Sequence, residues 1–120
     1  MKLRVKGNTI RFRLTQSEVA QLGRGEGLRD ATEFGPAQCL NWILEPATGN
    51  AMQASFDGKT VSVGLPEDEI RAWAGVDTVG IYGQAGPLEI SVEKDFHCLN
   101  RADAPEEADA FPNPLEGSKC

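Results

Sequence analysis

The chain has 120 residues, 40% of them apolar and 25% charged, and a net charge of −6. That is the size and composition of one soluble domain, and it excludes a disordered, fibrous or transmembrane chain: there is no run of eighteen apolar residues and no apolar N-terminal segment of the secretory type. Cys39, Cys98 and Cys120 are odd in number and widely spaced, which excludes a disulfide framework or a Cys-x-x-Cys zinc site and fits a reducing cytoplasm.

The charge is unevenly placed. Lys2, Arg4, Lys6, Arg11 and Arg13 put +5 on residues 1–13, with no acid before Glu18, whereas the other 107 residues hold 7 basic and 18 acidic groups, a balance of −11. Gly7-Asn8 sits between two alternating segments and reads as a two-residue hairpin turn of the primed type. That turn sets Lys6 opposite Thr9, Arg4 opposite Arg11 and Lys2 opposite Arg13. Because strand side chains alternate, one face takes Met1, Leu3, Val5, Ile10, Phe12 and Leu14. The other takes Thr9 and all five cations. Like charges directly opposed across strands cost on the order of a few tenths of a kcal/mol per pair, so this face calls for a counter-charge.

Thr15 and Glu18 have the spacing of a capping box, which predicts a short helix with Val19 and Leu22 on its inner side. Gly23, Gly25 and Gly27 end it. The GRGEG run follows a helix rather than a strand, so it reads as a helix stop and loop, not as a phosphate cradle. Leu40, Trp42 and Leu44 then alternate as a strand with Cys39, Asn41 and Ile43 on its reverse. Cys39 is expected to be a buried structural thiol. Phe12, Trp42, Phe56 and Trp73 fall at core-facing positions.

The pattern then repeats. At an offset of 51, Gly7, Thr9, Leu14 and Glu18 meet Gly58, Thr60, Leu65 and Glu69, with Asp57-Gly58 as the second hairpin turn and Pro66 opening the second helix ahead of Glu67, Asp68 and Glu69. At an offset of 48, Phe34-Gly35 meets Tyr82-Gly83, and Leu40, Trp42 and Leu44 meet Leu88, Ile90 and Val92. Each half reads strand–strand–helix–strand–strand, and the agreement of turns, helix starts and apolar faces points to an internal duplication. The expected fold is α+β, mostly antiparallel β with two short helices, its halves (1–48 and 51–98) forming a small barrel or sandwich within a globular region 1–100. Residues 101–120 read as an acidic, proline-containing tail in which Phe111 is the residue that would dock on the body. The repeat is also a control. The second-half counterparts of the five cations are Gln53, Ser55, Asp57, Ser62 and Gly64, none basic, so the hairpin geometry itself does not require the positive face.

The last strand, LEISVEKDFHCL, places Leu88, Ile90, Val92, Phe96 and Cys98 on one face, with Lys94 the exception. Glu89, Ser91, Glu93, Asp95 and His97 lie on the other. Glu93, Asp95 and His97 are the weak candidates for a metal or acid–base site, but residues four apart on a strand stand about 13 Å apart, too far for one ion to hold all three. A solvated or salt-bridged face is the plainer reading. Placed beside the first hairpin, Glu89, Glu93 and Asp95 would neutralise Arg4, Arg11 and Arg13; the acids of the tail would serve as well, and so would an external anion.

Two resemblances follow. Gly7-Asn8-Thr9-Ile10 and Arg13-Leu14 with the helix to Leu22, and then Asp57 to Val61, Leu65-Pro66-Glu67, Val79-Gly80-Ile81 and Leu88-Glu89-Ile90, resemble the swapped-hairpin domains of AbrB- and MazE-type regulators and antitoxins. That resemblance implies interlocked strand–strand–helix–strand–strand units, here both in one chain, with basic hairpins that contact DNA; the neutral second hairpin departs from it. The chain as a whole, through its MKLRVKGNTIRFRLTQSEV start, EKDFHCL strand and Pro112–Pro114 tail motif, resembles a family of small uncharacterised bacterial proteins, a resemblance that implies no activity. The reading is therefore a binding or regulatory module rather than an enzyme, meeting nucleic acid or an acidic protein through Lys2, Arg4, Lys6, Arg11 and Arg13 and needing no cofactor. The alternatives are a DNA-binding regulator or antitoxin, and a metal-dependent enzyme using the last strand.

Overall fold

The computed structural model describes residues 1–75 and 77–96. His97, Cys98, Phe111, Cys120 and the whole acidic tail lie outside the described residues.

Gly7 opens the first turn at φ 56° while Asn8 keeps a negative φ, the pattern of a type II′ hairpin. It joins β1 (Lys2–Lys6) to β2 (Thr9–Leu14) in the register that the alternation predicts, with Lys2 opposite Arg13, Arg4 opposite Arg11 and Lys6 opposite Thr9. Helix α1 (Gln16–Gly23) starts on a complete capping box. The Glu18 N–H donates to Thr15 Oγ1, and the Thr15 N–H donates to Glu18 Oε1 at 2.9 Å. Burial alone would raise the Glu18 pKa, but the N-terminal ammonium at 2.6 Å and the Thr15 N–H outweigh it and hold the carboxyl below its usual value. Gly25, at φ 89°, donates its N–H to the Leu22 carbonyl, so the glycine run ends the helix.

Next come β3 (Leu28–Gly35), β4 (Gln38–Ala47), β5 (Gln53–Phe56), β6 (Thr60–Pro66), α2 (Glu67–Ala74), β7 (Gly80–Ala85) and β8 (Leu88–Lys94). The β5–β6 turn is centred on Gly58-Lys59, one residue later than Asp57-Gly58. The Asp57 carboxylate sits outside the turn and accepts from the N–H groups of Lys59 and Thr60 at 2.8 and 2.7 Å. Pro66 is the N-cap of α2 rather than its first helical residue.

The strands form two four-stranded sheets, ordered β1-β2-β8-β7 and β3-β4-β6-β5. The four hairpin pairings are antiparallel; β2–β8 and β4–β6 are parallel. The fold is α+β and mostly antiparallel, as expected. It is not a closed barrel, since β1, β7, β3 and β5 all remain edges. Nor do the halves face each other as separate layers, because each sheet takes one hairpin from each half. The two parallel junctions share one geometry. Thr9 pairs with Glu89 and Thr60 with Asn41, and the Glu89 N–H donates to the Asn8 carbonyl just as the Asn41 N–H donates to that of Lys59.

One sequence correspondence fails. Gly83 lies opposite Ile90, but its geometric counterpart opposite Trp42 is Asp30, not Gly35. Between Thr32 and Leu40 the first half inserts residues 33–39 where the second has only Gly86-Pro87 between Ala85 and Leu88. Phe34 therefore belongs to a hairpin extension, 71% exposed, and is not the partner of Tyr82.

A single apolar cluster draws on both sheets and both helices, centred on Phe12, Leu14, Leu22, Leu44, Val63, Leu65, Ile70, Trp73, Ile90 and Val92. Trp42 is buried too, and its Nε1 has no protein acceptor among the described residues, whereas Trp73 Nε1 donates to the Val79 carbonyl at 3.1 Å. Lys94, the cation on the apolar face of β8, lies over the Trp73 ring at 5.8 Å from its centroid. Two core assignments, Phe56 and Cys39, are corrected. Val5 and Phe56 point to the core side but are 66% and 62% exposed, because β1 and β5 are edges and these residues adjoin the turns. Cys39 is exposed, on the outer face of the same extension that carries Phe34. No helix among the described residues is long and apolar enough to cross a membrane.

Candidate anion-binding face

The outer face of the first sheet collects every cation of the opening hairpin. The alternation that buries Ile10, Phe12 and Leu14 turns Thr9, Arg11 and Arg13 outward, and the parallel β2–β8 register sets Glu89, Ser91 and Glu93 beside them. Beyond β8, β7 adds Gly80, Tyr82 and Gln84. The face therefore consists of three rows across four strands: Lys2–Arg13–Glu93–Gly80, Arg4–Arg11–Ser91–Tyr82 and Lys6–Thr9–Glu89–Gln84.

The first row is neutralised from within. Glu93 Oε1 lies 3.5 Å from Arg11 Nε and 3.9 Å from Arg13 Nε, and its other oxygen accepts from the Tyr82 hydroxyl at 2.8 Å. Asp95, just past β8, pairs with Lys2 at 3.1 Å. Its N–H donates to the Leu14 carbonyl at 2.8 Å, which continues the β2–β8 ladder and fixes its place. The last strand thus supplies the counter-charges for Arg11 and Arg13, and Asp95 takes Lys2. Gly80 makes room for the Tyr82 contact: a Cβ there would stand 2.9 Å from both the Tyr82 hydroxyl oxygen and Glu93 Cγ. Burial first, then the hydrogen bond to Glu93 and its negative charge, push the Tyr82 phenol up to about 12.

The other two rows hold Arg4, Arg11 and Lys6 together with Glu89. Arg4, Lys6, Thr9, Arg11, Tyr82, Gln84, Glu89 and Ser91 line an open depression of about 500 Å³. Across the whole face, five cations meet Glu89, Glu93 and Asp95, a surplus of two positive charges, with Glu89 in the row of Lys6. The matching row of the second sheet reads Ser55–Ser62–Ile43–Arg29, so the fold does not demand this chemistry at these positions.

As metal ligands the last-strand acids are already engaged, Glu93 with two guanidinium groups and a phenol and Asp95 with an ammonium. His97 lies outside the described residues, and among the described residues no group of three His, Cys, Asp or Glu side chains is placed to hold an ion. Tyr82 and Ser91 complete the face, and the sequence did not single out either as a site residue. The signal was present in the alternation of Tyr82 with Gln84 and of Ser91 with Glu89 and Glu93, but it acquires meaning only once β8 is known to lie against β2.

No curated protein and no solved structure matches the chain. The sequence profile of one family matches residues 1–115, nearly the whole chain. The protein belongs to that family, a family of unknown function designated DUF7009.

Proposed function

We propose that the protein is a non-enzymatic binding module that takes a polyanion on the outer face of its first sheet, with Arg4, Lys6 and Arg11 as the principal contacts. One observation carries this reading: five cations share a registered face with three carboxylates, and Arg4, Lys6 and Arg11 among them line one open depression together with Thr9, Ser91 and Gln84. Sheet faces solvated by mixed charge do not gather like charges on opposed positions, and the equivalent face of the second sheet does not. A duplex-DNA regulator of the swapped-hairpin kind is less favoured, since two-fold recognition wants two basic hairpins and only one is basic.

The test is binding of heparin, a polyanion without bases, across a salt series. Affinity is expected to fall steeply with salt, as counter-ion release requires. Arg4→Glu/Lys6→Glu should abolish most of it. Lys2→Glu, at the end already paired with Asp95, should change it little. No binding at low salt, or equal losses in both variants, would refute the reading.

A further inference from the structure

The row Arg4–Arg11–Ser91–Tyr82 runs across the sheet in a definite chemical order: two guanidinium groups, a hydroxyl, an aromatic ring. Resting on the polyanion reading above, we infer that the ligand of this face is a single-stranded nucleic acid, with its phosphates over β1 and β2 and one base stacked on Tyr82. Arg11 and Tyr82 are two strand spacings apart, about 10 Å, within the reach of one nucleotide from phosphate through sugar to base. Ser91 stands between them in the register, and Gln84 is the next outward residue along β7.

Tyr82 has the properties of a stacking platform. It is 56% exposed on a sheet face where the other large apolar side chains of β2 and β8 point inward. Its hydroxyl is tethered to Glu93, and Gly80 leaves open the space that the tether crosses, so the ring is held before any ligand arrives. A base on that ring is worth roughly a tenfold or greater gain in affinity, with little sequence preference.

The shape of the face disfavours a duplex. A two-stranded ribbon fits a major groove about 12 Å wide. Here the cations lie within a sheet four strands across, about 14 Å between its outer strand axes before side chains are added. Pressing the basic strands against a duplex would also bring Glu89 and Glu93 toward its phosphates.

The experiment uses the full chain and three probes at one salt concentration: a fluorescently labelled oligothymidylate of about 12 nucleotides, a duplex of the same length, and heparin. The oligothymidylate should bind more tightly than the duplex. Tyr82→Ala should weaken it about tenfold or more and leave heparin binding unchanged, whereas Tyr82→Phe, which keeps the ring, should retain most of the affinity. Preference for the duplex, or equal effects of Tyr82→Ala on oligothymidylate and heparin, would overturn the inference while leaving the polyanion reading in place. Failure of all three probes to bind would overturn both.

Discussion

Tyr82 is the only tyrosine of the chain, so its ionisation can be followed by tyrosinate absorbance without interference. Its phenol is raised from 10.0 to about 12 by burial and by Glu93. A raised folded-state pKa means that the native state holds the proton more tightly than the unfolded chain does. The resulting stabilisation is complete below pH 10 and is lost as the pH rises toward 12. Glu93→Gln removes the negative charge, and the titration midpoint should move back toward 10; an unchanged midpoint would show that Glu93 does not face the ring. The residue scale is also where the sequence was least legible. Alternation told which way Lys2, Arg4, Lys6, Arg11 and Arg13 point, and it correctly sent Phe12, Trp42 and Trp73 inward. It assigns a face but not a depth. Val5 and Phe56 have the right face, yet they stand on edge strands next to turns, where too little structure covers them. Free thiols are usually buried, but Cys39 stands exposed because its place on a protruding hairpin depends on where that hairpin ends.

The elements themselves were largely readable because each has a local chemical cause. Gly7 supplies the positive φ of the first turn, Thr15 and Glu18 cap α1 reciprocally, and the three acids from Glu67 to Glu69 favour the start of α2. Pairings between distant elements leave no such mark: charge complementarity suggests the last strand beside the first hairpin, but nothing in the sequence announces the β4–β6 junction or the parallel direction of both. A similar limit explains the misplaced match of Phe34 with Tyr82: both are aromatics followed by glycine, but hairpin length is set by cross-strand register. The second half shows what the β3–β4 hairpin needs, namely a two-residue Gly-Pro connection between positions equivalent to Thr32 and Leu40. Replacing residues 33–39 with Gly-Pro removes the exposed Phe34 and Cys39 and no buried residue. Urea unfolding of that variant should give a stability within about 1 kcal/mol of the parent, with the same m-value. A loss of several kcal/mol would mean that the extension packs on the core after all.

At the scale of the whole molecule the decisive feature is that neither half owns a sheet. Residues 1–48 supply β1–β2 to one sheet and β3–β4 to the other, and each hairpin is completed only by a parallel junction to the second half. The buried faces follow: Phe12 lies opposite Val92, and Leu44 opposite Val63, so each junction joins core residues from both halves. A half expressed alone would leave two strands, β2 and β4 or β6 and β8, without their central neighbours and the inner side of both hairpins in water, a loss far larger than the few kcal/mol by which small domains are stable. Cutting the chain between Gly49 and Asn50, in the connection between β4 and β5, therefore makes a sharp test. Each fragment alone should lack near-ultraviolet circular dichroism and a cooperative thermal transition. Mixed in equal amounts, the two should recover both, because the cut touches neither junction, and the emission of Trp42 in one fragment and Trp73 in the other should shift to the blue together as both are buried. A self-associated form of the first fragment would be the one folded alternative, since the shared geometry of the two junctions lets a second copy stand in for the missing half; sedimentation separates that dimer from the mixed complex by the mass of its components. A first fragment that folds as a monomer would show that the core is divisible and that the interleaved hairpins are not what holds the protein together.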